Sequence, residues 1–213
     1  ELVMAALDAN RRPRAILSRE AIDNAAVAVA ATAGSTNAVL HLLAIAHEAG
    51  IDYPLERFEA ASRTPVIADL KPGGRFTAVE LHAAGGTAKV LDELRAAGRL
   101  HDTPTMTGES LFAAIDAARA VHATRAGMAA DDPAAVVPGF KAPLKPHGGY
   151  SVLYGNLAPE GCICKLPAGR RQFEGPARVF DSEDAAFAAV QARGIRAGDV
   201  VVIRFEGPAG GPG

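Results

Sequence analysis

Tryptophan is absent from this sequence of 213 residues, and its other aromatic side chains are eight phenylalanines and three tyrosines. So few flat side chains argue against a stacking platform for single-stranded nucleic acid. The formal net charge is only −2 and no long basic run occurs, which argues against nucleic acid or an anionic membrane as a partner. No stretch approaches the roughly 20 uninterrupted apolar residues that a bilayer span needs. The sequence therefore predicts neither a nucleic-acid nor a membrane partner.

Cysteine is equally scarce, because Cys162 and Cys164 are the only two. Residues this close do not form an ordinary structural disulfide, and two thiols do not complete a four-ligand metal or cluster site. On a strand both would lie on one face, as plain strand residues in a reducing compartment. The chain shows no charged-then-apolar leader at its start, so we expect a cytoplasmic protein.

The common catalytic motifs are missing as well. The six histidines show neither HExxH nor another paired metal spacing, and the chain has no GxSxG, GxGxxG or Walker loop. Carboxylates are plentiful but stand mostly at helix surfaces and caps, so no general acid–base pair is identifiable.

Alanine is abundant, with 46 residues, and favours helices with small-residue packing. One predicted helix follows the capping residues Ser35–Asn37 and ends at Gly50, and its apolar face must be buried. That face consists of Val39, Leu42, Leu43 and Ala46. Other helices are predicted to begin at Ser18, Pro54, Thr77, Thr87 and Thr107, the last of them ending at Gly127. PVIADL (65–70) is predicted to be a short buried strand.

Composition changes near residues 131–149. Residues 1–130 hold 9 Gly and 5 Pro, whereas residues 131–213 hold 13 Gly and 9 Pro. Beyond this boundary YSVLYG, CICKL, PARVF and DVVVIRF are short β-branched runs, interrupted by one helix after Ser182. Strands around a single crossover helix predict a small β/α barrel-like or sandwich domain.

Three loops are candidates for a site. Ser35, Thr36 and Asn37 stand at a helix N-terminus, where free N–H groups and the helix dipole favour an anion; ordinary capping is the competing interpretation. GNLAPEG (155–161) is a turn carrying Asn156 and Glu160. The loop 206–213 is poor in side chains, so a ligand or a neighbouring backbone could come close to it.

Several strings occur together in the order typical of one known family. They are GSTNAVLHLLAIAHEAGI followed by PVIADLKPGG, then GNLAPEGC, FEGPARVFDSEDAAFAAV and GDVVVIRFEGPAGGPG. They run almost end to end, and the chain resembles the dihydroxy-acid/6-phosphogluconate dehydratase family. The resemblance implies an α/β fold: the end of an α/β N-terminal domain over 1–135, then a β-rich, swivelling β/α barrel-like C-terminal domain over 136–213.

The resemblance also implies a hydro-lyase that removes water from a 2,3-dihydroxy acid and yields a 2-keto acid. An iron–sulfur cluster and magnesium assist this reaction in the family, and a serine alkoxide takes the C2 proton. GSTNAVLH with LYGNLAPEGC resembles the enzyme of branched-chain amino-acid biosynthesis; sugar-acid dehydratases acting on arabinonate, xylonate or gluconate are the alternative. The resemblance further implies a homodimer or a larger homo-oligomer.

The family's cluster cysteines, magnesium ligands and catalytic serine are expected outside this segment, so no catalytic or metal-ligating residue is assigned here. Substrate binding is expected of Ser35, Thr36 and Asn37. Support of the active-site loops is expected of Asn156, Glu160, Glu206, Gly207, Gly210 and Gly211. A competing interpretation, of another class, is a folded fragment without catalytic activity.

Overall fold

The computed structural model describes residues 1–124, 132–165 and 172–207, in which helices are followed by two small sheets, as in an α/β protein. The helices are α1 Leu2–Asp8, α2 Pro13–Ile16, α3 Arg19–Ala31, α4 Asn37–Ala49, α5 Glu56–Ser62, α6 Ala78–Ala83, α7 Gly86–Ala96, α8 Leu111–Thr124, α9 Pro133–Val136 and α10 Glu183–Gln191. The strands are β1 Tyr150–Leu153, β2 Cys162–Lys165, β3 Ala177–Phe180 and β4 Val200–Ile203. None of the described helices is both long and apolar enough to cross a membrane.

The chain divides into two compact units, Glu1–Leu166 and Pro167–Gly213. In the first unit β1 and β2 form an antiparallel hairpin in which Tyr150 lies opposite Lys165. In the second unit β3 and β4 are parallel, with Ala177 opposite Val200. A parallel pair needs a crossover connection, and α10 supplies it between the two strands. All four strands fall on the β-branched runs predicted from the sequence.

The core of the first unit is built around α3, whose alanines let neighbouring elements approach closely. Ala26 and Ala30 pack into a cluster with α4, α5 and the β1 strand, and Phe58, a member of this cluster, is fully buried. Ala31, on the other side, belongs to a second cluster formed with α7 and α9. Burying each large apolar side chain contributes roughly 1.5–3 kcal/mol. The predicted apolar face of α4 is confirmed, because Val39 and Ala46 are buried and Leu42 and Leu43 pack against the first cluster.

Side-chain caps confirm several of the predicted helix starts. Ser18 accepts a hydrogen bond from the amide of Ala21 at the start of α3, and Ser182 accepts one from Ala185 at the start of α10. Thr77 and Glu80 form a reciprocal capping box at α6. Each cap satisfies a main-chain donor that the first turn of a helix leaves unpaired.

Three of the predicted helix starts are wrong. Thr87 lies inside α7, because the chain turns through Gly85 at φ 115° and the helix begins at Gly86. Thr107 lies in a turn ahead of α8, whose cap is Ser110, the acceptor for the amide of Ala113. The helix predicted after Pro54 begins instead at Glu56. The predicted end of α8 at Gly127 lies outside the described residues.

PVIADL is buried as predicted, but it is not a regular strand. The amide of Ile67 donates to Ala31, that of Asp69 to Val136, and Val66 forms a single bridge with Lys145. The main-chain partners thus come from three separate segments. The extended segment runs through the core without one continuous neighbour, which is why no ladder forms.

Candidate functional site

The turn that joins α3 to α4 has a defined backbone. Ala33 adopts a left-handed φ of 49°, and the amide of Gly34 donates back to Val29 at 2.9 Å, which closes the end of α3. Beyond it the amide of Asn37 donates to the Ser35 hydroxyl at 3.2 Å. Residues 34–37 are called the α4 helix start below.

The predicted side-chain cap is not found at Thr36, the N-cap position of α4; the Ser35 hydroxyl pairs only the amide of Asn37, which is the first residue of the helix. Thr36 has helical backbone angles and its side chain makes no capping hydrogen bond. The amides of Ala38 and Val39 donate to the carbonyls of Ser35 and Thr36 at 3.2 and 3.1 Å, so these donors of the first turn are already paired. Ser35 and Asn37 are exposed and Thr36 is half-buried, which leaves all three side chains accessible.

Two clefts flank the α4 helix start and share Thr36. The first has a volume of about 360 Å³ and includes the ammonium-bearing side chains of Lys71 and Lys165 beside Gly34 and Ser35. The cationic side chains and the N-terminal end of the helix dipole favour a negatively charged group in this cleft.

The second cleft, of about 350 Å³, lies on the other side of Thr36. Here Asn37 meets Gly161 and Cys162 from the hairpin, over an apolar floor formed by Val39, Leu40, Leu43, Leu55 and Ile163. Two motifs that lie more than a hundred residues apart in the sequence, GSTN and GNLAPEGC, therefore share one cleft. Polar groups converging above an apolar floor are typical of small-molecule sites.

The remainder of the 155–161 loop does not reach these clefts. Asn156 and Glu160 are exposed, and the loop closes on itself through hydrogen bonds between Gly155 and Ala158 at 3.1 and 3.3 Å. Gly161 is the member that packs inward, at φ 99°, where an added Cβ would stand 2.7 Å from a methyl group of Leu55. The structure thus places Gly161, rather than Asn156 or Glu160, beside the α4 helix start.

In the second unit, Glu206 caps a helix. Its carboxylate accepts a hydrogen bond of 2.8 Å from the amide of Glu183, in the first turn of α10. Gly207 is exposed, and Gly210 and Gly211 lie outside the described residues.

Lys165 and Lys71 were not identified by sequence reasoning. The Lys165 ammonium donates to the carbonyl oxygens of Ala33 at 2.8 Å and Gly34 at 2.5 Å. Burial lowers the pKa of Lys165, and the positive charge of Lys145 lowers it further. A lysine at a strand end carries no local signal for this contact, because the carbonyls it bonds lie about 130 residues away in the sequence.

An iron–sulfur cluster or a magnesium ion does not fit the described residues. Cys162 and Cys164 alternate along β2 with Ile163, which packs on the core, so both thiols lie on the opposite side of the hairpin. Across the described ranges, no three His, Cys, Asp or Glu side chains are grouped closely enough to hold a metal ion. Two thiols fall short of the ligand set of a cluster.

Comparison with known families gives two matches that together cover most of the chain. Residues 1–114 match the N-terminal model of the dihydroxy-acid/6-phosphogluconate dehydratases, and residues 135–213 match the corresponding C-terminal model.

Individual relatives resemble the chain along its whole length. A dihydroxy-acid dehydratase of Koribacter versatilis is 49% identical over 100% of the chain, and one of Thermus thermophilus is 52% identical over 95%. A dihydroxy-acid dehydratase of Polaromonas is 44% identical over 100% of the chain. The chain spans only 36%, 35% and 37% of the length of these three relatives.

Proposed function

Because the chain belongs to the dihydroxy-acid/6-phosphogluconate dehydratase family, we propose that it is part of a hydro-lyase acting on a 2,3-dihydroxy carboxylic acid. The reaction removes the C2 proton and the C3 hydroxyl group as water, and the resulting enol becomes a 2-keto acid. The observation that carries the proposal is the 49% identity, over the entire chain, to a protein named dihydroxy-acid dehydratase.

The substrate is proposed to be a branched-chain dihydroxy acid, in amino-acid biosynthesis. The relatives named above support this choice over a sugar acid such as arabinonate, xylonate or gluconate. The cleft beside Asn37 agrees with it, because its floor of Val39, Leu40 and Leu43 suits an alkyl group better than a row of hydroxyls.

Within this enzyme the α4 helix start is proposed to line the substrate. Ser35 and Thr36 offer hydroxyl groups at the positive end of the helix dipole, in the cleft that contains Lys71 and Lys165, which suits a carboxylate. Asn37 offers its side-chain amide to the neighbouring cleft. The supporting loops are proposed to include Asn156 and Glu160 in one turn, and Glu206, Gly207, Gly210 and Gly211 in another. Glu206 is proposed to act by capping α10, because its hydrogen bond from the amide of Glu183 ties the segment that follows β4 to that helix.

The cofactors of the whole enzyme are proposed to be an iron–sulfur cluster and magnesium. The described residues do not fit either group, so we assign no catalytic step to a metal through residues of this chain. The proposed domains are 1–135, α/β, and 136–213, a β-rich, swivelling β/α barrel-like domain. The whole enzyme is proposed to be cytoplasmic and a homodimer or larger assembly.

A second candidate is a folded fragment with no activity of its own. It is favoured by the 36% coverage of the Koribacter relative. The two candidates are compatible if the full-length protein is the enzyme: the 213-residue chain alone is then expected to form no keto acid, and a full-length protein carrying it is expected to do so. Turnover together with brown cluster absorption in the 213-residue chain would refute the fragment.

The function is tested by supplying the full-length, metal-loaded protein with 2,3-dihydroxy-3-methylbutanoate, arabinonate, xylonate and gluconate. Trapping the product with 2,4-dinitrophenylhydrazine detects the 2-keto acid. We expect product from the branched acid; product from the sugar acids alone would select the alternative substrate, and product from none would overturn the proposal.

The role of the α4 helix start is tested by N37A in that protein. We expect at least about a tenfold loss of kcat/KM with normal metal content, because a polar contact to the reacting acid is worth on the order of 1.5 kcal/mol or more. E48A, an exposed substitution near the opposite end of α4, is the matched control and should retain activity. Unchanged turnover in N37A would remove Asn37 from the site.

A further inference from the structure

The β1–β2 hairpin is fixed to the core at the end from which Lys165 projects. Tyr150, its cross-strand partner, is 1% exposed and Val152 is 6% exposed, and both belong to the cluster around α3. Opposite residues of an antiparallel pair lie on the same face. Lys165 therefore leaves the hairpin on its core side, from a strand that the core holds in place.

The hairpin also touches the α3–α4 turn with its backbone. A Cβ added to Gly149, the residue before β1, would stand 2.6 Å from the Cα of Ala33 and 2.8 Å from its Cβ. Real Cβ atoms do not come so close, so the absence of a side chain at Gly149 permits this contact. Ala33 is thus packed against the entry to β1, while the ammonium from the end of β2 bonds its carbonyl.

The Lys165 ammonium donates hydrogen bonds to the backbone of this turn. Its described partners are the carbonyls of Ala33 and Gly34, the two residues that precede Ser35, and none of the described ion pairs includes it. A cation bonded to two successive carbonyls fixes the orientation of both peptide groups. The two peptide groups that lead into Ser35 are therefore held in one orientation.

We propose that Lys165 is a positioning residue: it holds the Ala33 and Gly34 carbonyls and so presents Ser35, Thr36 and Asn37 to the substrate. This inference rests on the proposed function, since it concerns the same site. Lys165 acts through the turn rather than on the reacting atoms. Its loss should therefore weaken substrate binding more than it slows the chemical step.

Two variants and a control test the proposal in the full-length protein. K165M removes both hydrogen bonds but keeps an unbranched side chain, and K165R restores donors at nearly the same reach. We expect K165M to raise KM about tenfold while kcat falls less than threefold, and K165R to recover at least half of the lost kcat/KM. K145M removes a neighbouring positive charge but leaves both hydrogen bonds from Lys165 to the turn in place. It should keep KM and kcat within twofold of the unmodified protein.

Hydrogen exchange supplies a readout that does not depend on turnover. In K165M the amides of Gly34 and Asn37, which donate hydrogen bonds to Val29 and to the Ser35 hydroxyl, should exchange at least about tenfold faster, while those in the middle of α3 keep their protection. Unchanged exchange in this segment would overturn the proposal, and so would faster exchange with an unaltered KM. If the unmodified protein forms no keto acid, the proposed function fails, and the exchange data alone then decide whether Lys165 orders the turn.

Discussion

Two buried tyrosines show how differently one residue type is used in this protein. The Tyr53 hydroxyl donates to Asp23 at 2.7 Å, and the same carboxylate is bound by the guanidinium of Arg57. Tyr150 is more deeply buried, and its hydroxyl has no hydrogen-bond partner in the described part of the chain. Burial raises the pKa of both phenols, and for Tyr53 the bond to Asp23 adds to the rise.

The same substitution should therefore have opposite effects at the two positions. We expect Y53F to destabilise the first unit by about 1.5–3 kcal/mol, the usual cost of losing a hydrogen bond to a charged group. Y150F deletes an unpaired buried hydroxyl and should stabilise the unit by about 1 kcal/mol. Urea unfolding of the two variants measures both changes, each serving as the control for the other. A loss of stability in Y150F would show that its hydroxyl has a partner, such as a bound water.

The Asp23 carboxylate should also make the stability of the first unit depend on acid pH. Burial acts to raise the pKa of Asp23, but the hydrogen bonds from Arg57 and Tyr53 and the charge of Arg57 outweigh it, so the pKa lies below its ordinary value of 3.8. The unfolded chain takes up this proton first. Ionised Asp23 therefore contributes its full share to the free energy of unfolding above its ordinary pKa. This share is lost as the pH falls through the lowered pKa of the folded protein.

Unfolding midpoints in urea between pH 3 and pH 6 measure this dependence. We expect D23N to be less stable at pH 6 and to lose less stability on acidification than the unmodified protein. The slope of the unfolding midpoint against pH should become shallower in D23N rather than vanish, because hydrogen bonds also lower the pKa values of Glu80 and Asp116. A slope identical to that of the unmodified protein would contradict the assignment to Asp23.

At the scale of the elements, Gly149 is the residue at which the hairpin contacts the α3–α4 turn. G149A would force a methyl group against the backbone of Ala33, which cannot move aside as a flexible side chain could. We expect a loss of about 1–3 kcal/mol, typical of overpacking. G73A is the matched control, because a Cβ at Gly73 would meet nothing within 4 Å. Thermal unfolding of both variants decides the matter; equal midpoints would contradict the close approach.

Elements marked by local chemistry were predictable from the sequence. Ser18, Thr77 and Ser182 cap helices as expected, since a capping side chain acts within three residues of its own position. Thr87 and Thr107 fit the same local pattern, but the turns through Gly85 and Gly108 lead the chain into α7 and α8 at other residues. Local spacing alone does not distinguish these cases.

The candidate site was predictable only where its residues are adjacent in the sequence. GSTN and GNLAPEG were recognisable as loops, but their meeting at Asn37 and Gly161 depends on how the hairpin docks on α3. Lys165 could not be found from its neighbours, because its role follows from cross-strand register and a contact about 130 residues away. Long-range packing decides such positions, and a single sequence carries no local sign of it.

At the scale of the whole molecule, the two units differ in how their sheets are supported. Both sheets have two strands of four residues each. The first lies on a core with Tyr150 and Val152 buried. In the second, Ala186 is the only buried apolar residue among residues 172–207, and Val179 and Val201 are 52% and 42% exposed. Parallel sheets are ordinarily covered on both faces, so this sheet has little of the support that such pairings need.

Amide hydrogen exchange on the 213-residue chain should separate these two sheets directly. We expect the amides of β1 and β2 that bond across the hairpin to exchange at least about a hundredfold more slowly than those that pair β3 with β4. Local opening of the second sheet exposes less apolar surface, because Val179 and Val201 are already exposed, whereas opening the first uncovers Tyr150 and Val152. The equal strand lengths make each sheet the control for the other. Equal protection would mean that the β3–β4 sheet is covered by a surface in solution, and that stability is not set by the burial described for each unit.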